Sequence, residues 1–250
     1  FFTFKYSLKY SLPLLPYTVS LVILSQSDRV MINYFFDSAT AGHYSYIYNF
    51  GILLSFLFGA IMNFANNEFY QLFNQFEIKE EFQVHQRKLM FKFLFIGIIC
   101  VIISSIFYEF YIPISIKYLV GYLPIVFSCI LVSSIWQIWA RILGYHKRTI
   151  YISIASCISA ILYVILLYLS FSFSLDYRIA YWLSLISYII MTLIGLYFVG
   201  KFDIGLVAPF FYDYLWILVF VLISIVCLFY YKTGFLLYFI MLMSILKYKN

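Results

Sequence analysis

Gln26, Asp28, Arg29 and Asn33 are the residues of this chain whose types and spacing could do chemistry. They centre on Ser25-Gln26-Ser27-Asp28-Arg29, a polar run inside an otherwise apolar stretch from Leu12 to Phe36. An ionisable side chain at membrane depth costs roughly 2.5 to 3.5 kcal/mol on insertion scales, so two adjacent ones need partners. At about 1.5 Å per residue, Asp28 falls about 21 Å along a helix from Leu14, past the midplane of a bilayer. Gln26, Arg29 and Asn33 follow one another at i, i+3 and i+7, a polar stripe suited to a helix bundle or a wet cavity rather than to lipid. Two readings stand. Either the planar Arg29 guanidinium meets a phosphate or the polar groups of a sugar, or Asp28 and Arg29 form a structural pair linking helices near one surface. The second suits Asp28 better, because a carboxylate does not attract an anionic ligand.

Arg141 follows Trp136, Gln137 and Trp139 near the end of another apolar run. There it either binds a head group or snorkels to the interface. Glu81 and His85 lie four residues apart, a spacing compatible with metal binding, on what reads as a charged, solvated helix face. His43 and His146 are isolated loop residues, and Cys100, Cys129, Cys157 and Cys227 are widely spaced in apolar runs, suggesting neither a metal site nor a disulfide framework. The sequence contains no GxSxG, P-loop or HExxH motif and no convincing pair of catalytic carboxylates. No enzymatic activity, metal or cofactor is expected.

The elements that must position these residues are set by the solvent. Of the 250 residues, 65% are hydrophobic and 10% charged, against about 25% charged in ordinary soluble domains. Apolar runs long enough for a hydrocarbon core of about 30 Å recur along the chain. Lipid leaves no partner for an open backbone, so each run is expected to be helical; runs such as Phe93 to Phe107 lack the two-residue alternation of a barrel strand. The expected fold is all-α, a polytopic membrane bundle of about eight transmembrane helices. The spans are Leu12 to Phe36, His43 to Ala65, Lys92 to Ile112, Leu119 to Leu143, Thr149 to Phe171, Ile179 to Val199, Tyr214 to Tyr231 and Gly234 to Leu246. Residues 1–250 read as one transmembrane domain. Residues 66–91 carry Phe69, Leu72, Phe73 and Phe76 at helical spacing before Glu77, Lys79, Glu80 and Glu81, the pattern of an interfacial amphipathic helix.

With the N-terminal end cytoplasmic, only Arg29, Lys117, Arg178 and Lys232 of the 16 Lys and Arg fall outside, and the other twelve fall inside. That split sets the orientation through the positive-inside rule. It also accounts for the net charge of +6, which is scattered rather than gathered into a nucleic-acid-binding stripe. The 55 Phe and Tyr residues read first as interfacial belts rather than as stacking platforms for a ligand. Phe1-Phe2-Thr3-Phe4-Lys5 lacks an initiator Met and a signal-peptide pattern, so a preceding segment is expected.

Three pieces of the first 50 residues occur in order: Tyr10-Ser11-Leu12-Pro13-Leu14-Leu15-Pro16, then Ser27-Asp28-Arg29-Val30-Met31-Ile32, then Ala41-Gly42-His43-Tyr44-Ser45. As a set they resemble the seventh and eighth helices of Wzx-type repeat-unit flippases of O-antigen and capsule synthesis, in the multidrug/oligosaccharidyl-lipid/polysaccharide exporter superfamily. The resemblance implies the C-terminal lobe of a two-lobed exporter in the cytoplasmic membrane, a missing N-terminal lobe, and a polyprenyl-pyrophosphate-linked oligosaccharide as substrate. A polysaccharide polymerase is implied as a further partner. Asp28 and Arg29 are the positions it carries over, and Gln26, Asn33 and Arg141 join them as candidate substrate-binding residues. The chain departs from the family where Asn63-Phe64-Ala65-Asn66-Asn67-Glu68 lacks a common Pro, and where Tyr163-Val164-Ile165 and Tyr181-Trp182-Leu183 replace small-residue and Asn-containing runs. A membrane polymerase or glycosyltransferase remains an alternative, although such enzymes usually carry a large outer loop and every outer loop here is short. A small-molecule exporter of the same superfamily is another.

Overall fold

The computed structural model describes residues 11–74, 88–89, 91–103, 119, 121–202, 219–224 and 240–241. Its long elements are all helices: α1 (Leu14–Phe35), α2 (Ser38–Asn74), α3 (Phe91–Ile103), α4 (Leu123–Tyr145), α5 (Thr149–Ser172) and α6 (Ile179–Phe202). Among the described residues there is no strand. Four helices are long and apolar enough to cross a membrane: α2 through Ser38–Phe64, then α4, α5 and α6. The chain is therefore an all-α, multi-pass membrane protein. At 22 residues, or about 33 Å, α1 has the length of a span; its polar run from Ser25 to Arg29 makes it less apolar than the other four. The predicted spans Tyr214 to Tyr231 and Gly234 to Leu246 lie outside the described residues except for helical turns at 219–224 and 240–241.

Local chemistry explains the boundaries. Pro13 and Pro16 sit at the start of α1, where a helix has no intrahelical acceptors for its first N–H groups and a missing donor costs nothing. The second helix begins at Ser38, five residues before the predicted His43, because Asp37 Oδ1 accepts the Thr40 backbone N–H at 2.6 Å and caps it. It then runs on through Asn74. The first nine residues of the predicted interfacial segment continue the same helix beyond the apolar stretch Ser38–Phe64, and residues 75–87 lie outside the described residues.

Neither α4 nor α5 ends on Gly, yet both close with the same motif. After α4, the Arg148 N–H bonds to the Leu143 carbonyl and the Lys147 N–H to the Gly144 carbonyl, with Lys147 at φ 58°. After α5, the Leu175 N–H reaches the Ser170 carbonyl and the Ser174 N–H the Phe171 carbonyl, with Ser174 also at φ 58°. These are Schellman caps whose left-handed residue carries a Cβ at a conformational cost. Ser174→Gly is expected to stabilise the protein by about 1 kcal/mol, read as a rise of a few degrees in the thermal midpoint in detergent; no rise would mean the left-handed backbone is not strained there.

Contacts gather the chain into two compact units, one from Phe1–Ser45 with Ile135–Asp203 and the other from Tyr46–Ser134 with Ile204–Asn250. In the first, α1 and α5 run parallel and in register. Ser153 donates to the Pro13 carbonyl at one end, the Ser20 hydroxyl approaches Cys157 Sγ at 3.1 Å midway, and Phe35 meets Tyr168 and Phe171 at the other end. The sixth helix returns antiparallel to α5, with Tyr151 against Phe198 and Phe202. Small polar residues let these helices approach, and they satisfy themselves by bonding back along the helix: Ser159 to Ala155, Ser187 to Leu183 and Thr192 to Tyr188, at 2.8 to 2.9 Å. Gly195 brings α6 against Trp136 and Trp139 of α4.

In the second unit Gly51 of α2 faces Val126 and Ile130 of α4, Phe58 meets Phe93 of α3, and the Ser128 and Ser224 hydroxyls pair at 2.8 Å.

Candidate functional site

The α1 helix has two faces of opposite character. Leu15, Val19, Val22, Gln26, Val30 and Asn33 are all exposed and, at 100° per residue, share one side, with Arg29 at its margin. Ser20, Leu24, Asp28 and Ile32 are buried on the other. Adjacent in sequence, Asp28 and Arg29 therefore point different ways.

Asp28 is 0% exposed. The Tyr44 hydroxyl at the start of α2 donates to its Oδ2 at 2.6 Å, and the Arg29 backbone N–H donates to Oδ1 at 2.8 Å. The Tyr163 hydroxyl of α5 acts on the same carboxylate. Tyr44 is held from above: Tyr181 of α6 stacks on its ring, centroids 4.4 Å apart and planes 24° off parallel, and the Tyr181 hydroxyl donates to the Tyr44 carbonyl at 3.4 Å. The carboxylate thus ties α1 to α2 through Tyr44, and Tyr44 in turn ties α2 to α6 through Tyr181. The side chain that bonds the Asp28 carboxylate is Tyr44 on the next helix. Asp28 has no exposed surface with which to meet a ligand.

The Arg29 guanidinium turns the other way. Its Nη1 donates to Gln26 Oε1 at 3.1 Å, while Nε and Nη2 are withdrawn from the surface. Gln26 thus orients one edge of the cation on the exposed side, and Asn33, two turns beyond Gln26, shares that side. Arg141 does not join them. Its field acts on Tyr17 in the first turn of α1, eleven residues, or about 16 Å of helix, before Asp28.

Charge differs between the two ends of this unit. The α4–α5 turn and the last turn of α6 carry Lys147, Arg148 and Lys201. The opposite end carries Asp37, Asp176 and Arg178, where the Arg178 side chain grips the Asp176 carboxylate and its Nε donates at 2.8 Å. That grip lowers the Asp176 carboxyl below its usual range, and the Thr40 N–H lowers Asp37 in the same sense. Aromatic rings crowd this end, with Phe36 edge-on to both Phe171 and Tyr177.

Tyr44, Tyr163 and Tyr181 are the residues that sequence reasoning missed as a group. Each stood in a noticed segment, Tyr44 inside Ala41 to Ser45 and the other two at departures from the family pattern. Their side chains turn those departures into the cage around Asp28. Among the described residues no group of His, Cys, Asp and Glu could hold a metal ion. No protein-family model, curated protein or solved structure matches this chain.

Proposed function

We propose that the chain is the C-terminal lobe of a flippase that moves polyprenyl-pyrophosphate-linked oligosaccharide repeat units across the cytoplasmic membrane for surface polysaccharide synthesis. The observation that carries the reading is the exposed side of α1. Leu15, Val19 and Val22 make its first half apolar, and Gln26 and Asn33, with Val30 between them and Arg29 at the margin, bring polar and cationic groups to its second half. Hydrocarbon does not solvate that second half, so this side belongs against a water-filled path or a second lobe. An amphipathic, anionic substrate suits such a wall. Arg29, braced by Gln26, meets phosphate or sugar; Asn33 extends the stripe; Asp28 holds the helix that presents them. Arg141 stands apart, near the cytoplasmic ends of the helices, where the head of the lipid carrier would first arrive.

The parallel course of α1 and α5 supports the topology of this reading. Two parallel spans are joined by an odd number of crossings. Between them α2 and α4 supply two, and the proposal takes the third to be the segment that α3 opens, read from sequence as Lys92 to Ile112. With the two C-terminal spans read from sequence, the proposed lobe has eight crossings and both its ends in the cytoplasm.

The test uses the full-length gene. Arg29→Ala should cut surface polysaccharide about tenfold, the worth of a charge-assisted contact to phosphate, while membrane insertion and protein level stay unchanged. Complete repeat units should accumulate on the cytoplasmic leaflet, read by lipid extraction and leaflet-specific lectin labelling. Normal polysaccharide output would remove Arg29 from the mechanism. Single units that reach the outer leaflet and fail to polymerise would mean a polymerase.

A further inference from the structure

The turn between α4 and α5 and the last turn of α6 make one exposed cationic patch. Lys147, Arg148 and Lys201 are all exposed. The Arg148 guanidinium lies over the Phe202 ring, its central carbon 3.5 Å from the centroid, and Phe202 is itself packed on Tyr151. A cation stacked this way is fixed in place while its outer edge stays open to an anion. From residue 119 to residue 202 the sequence has one carboxylate, Asp176, which is bound to Arg178 at the opposite end of the unit. Asp203 follows Phe202 outside the described residues; set against three cations it leaves the patch positive.

Apolar stripes run away from this patch on both helices. On α5, Ile150 (55% exposed), Ile154 and Ile158 recur every four residues from just after Arg148. On α6, Leu193 and Tyr197 (65% exposed) lead to Lys201 at the same interval. Cations at the head of two exposed hydrocarbon-facing stripes complement a molecule with a negative head and long apolar chains. A free phosphate has no use for the stripes.

We propose that this patch is a binding site for an anionic phospholipid, whose phosphodiester meets Lys147, Arg148 and Lys201 and whose acyl chains lie along the exposed sides of α5 and α6. The site is independent of the transport reading, since it requires neither Arg29 nor a second lobe.

The test is lipid retention by the purified full-length protein in detergent, followed by native mass spectrometry with phosphatidylglycerol or phosphatidylcholine added. The parent should retain phosphatidylglycerol preferentially. Each cation replaced by Gln should weaken that retention about fivefold, most clearly for Arg148→Gln, with phosphatidylcholine unchanged. Arg148→Lys, which keeps the charge but loses the planar stack, should fall between. Arg178→Gln at the other end should have no effect. All four positions are exposed or half-exposed, and an unchanged elution volume and helical circular dichroism verify that each variant folds. Undiminished phosphatidylglycerol retention by the Lys147→Gln, Arg148→Gln, Lys201→Gln triple variant would overturn the proposal. So would displacement of the lipid by inorganic phosphate, which would make the patch a site for a soluble anion.

Discussion

Asp28→Ala should destabilise the protein by about 1 to 3 kcal/mol, the cost of leaving a buried hydrogen-bonding group without its partner. That is a large part of the roughly 5 to 15 kcal/mol that holds a folded domain. The loss has two sources. The Tyr44 hydroxyl, donating at 2.6 Å to a carboxylate with 0% exposure, is left buried without its acceptor, and a void opens where α1, α2, α5 and α6 meet. Asp28→Asn keeps one acceptor oxygen but turns an amide towards the Arg29 N–H or the Tyr44 hydroxyl, so an intermediate loss is expected. Tyr44→Phe should also cost stability. The double variant Asp28→Leu with Tyr44→Phe removes donor and acceptor together, and it should recover much of what either loses alone. Unfolding in detergent measures all of these. A change under about 0.5 kcal/mol for Asp28→Ala, the range of an ordinary surface substitution, would mean that the carboxylate does not hold the helices together. The expected contrast with Arg29→Ala is functional: under the proposed reading that variant loses transport and keeps stability.

Gly195→Leu should be as damaging, for a steric reason. A Cβ built at Gly195 lies 2.5 Å from Trp136 Cζ3 and 2.9 Å from Cε3, inside the van der Waals limit. The atoms it meets belong to a rigid indole 1% exposed, so the ring cannot swing away. Relief requires α4 and α6 to separate, which loses the packing that holds membrane helices together where no hydrophobic drive exists between them. Gly195→Ala is expected to cost about 1 to 3 kcal/mol, and Gly195→Leu more. Trp136→Leu should partly rescue Gly195→Ala by making room. Gly42→Ala is the control. A Cβ there meets nothing within 4 Å, and within α2 the extra methyl should stabilise by about 0.5 to 1 kcal/mol. Equal thermal midpoints for Gly195→Ala and Gly42→Ala would show that the α4–α6 approach is looser than 2.5 Å implies.

The sequence by itself determined the solvent and, through it, the secondary structure. An apolar run in lipid has no partner for its backbone except its own helix, which is why Thr149 to Phe171 and Ile179 to Val199 match Thr149–Ser172 and Ile179–Phe202 so closely. Composition also placed the polar stripe of Gln26, Arg29 and Asn33 on one side of α1, because helical periodicity is local. Boundaries that depend on side chains bonding to backbone were less legible. The Asp37 cap moved the start of α2 by five residues, and nothing in the periodicity of Asn66 to Asn74 separated a new helix from the continuation of α2.

Only the tertiary structure decided what Asp28 does. Next to Arg29 it invited an ion pair along the chain, yet consecutive residues on a helix point about 100° apart and do not face each other. Its partner lies 16 residues on, across a turn, and that partner is in turn stacked by a residue 137 further along. Such pairings exist only after α1, α2, α5 and α6 have packed, and no spacing within one helix encodes them. The same packing set Tyr17, near the start of α1, against Trp136 of α4, because position along the bundle is set by where each helix enters and not by residue type.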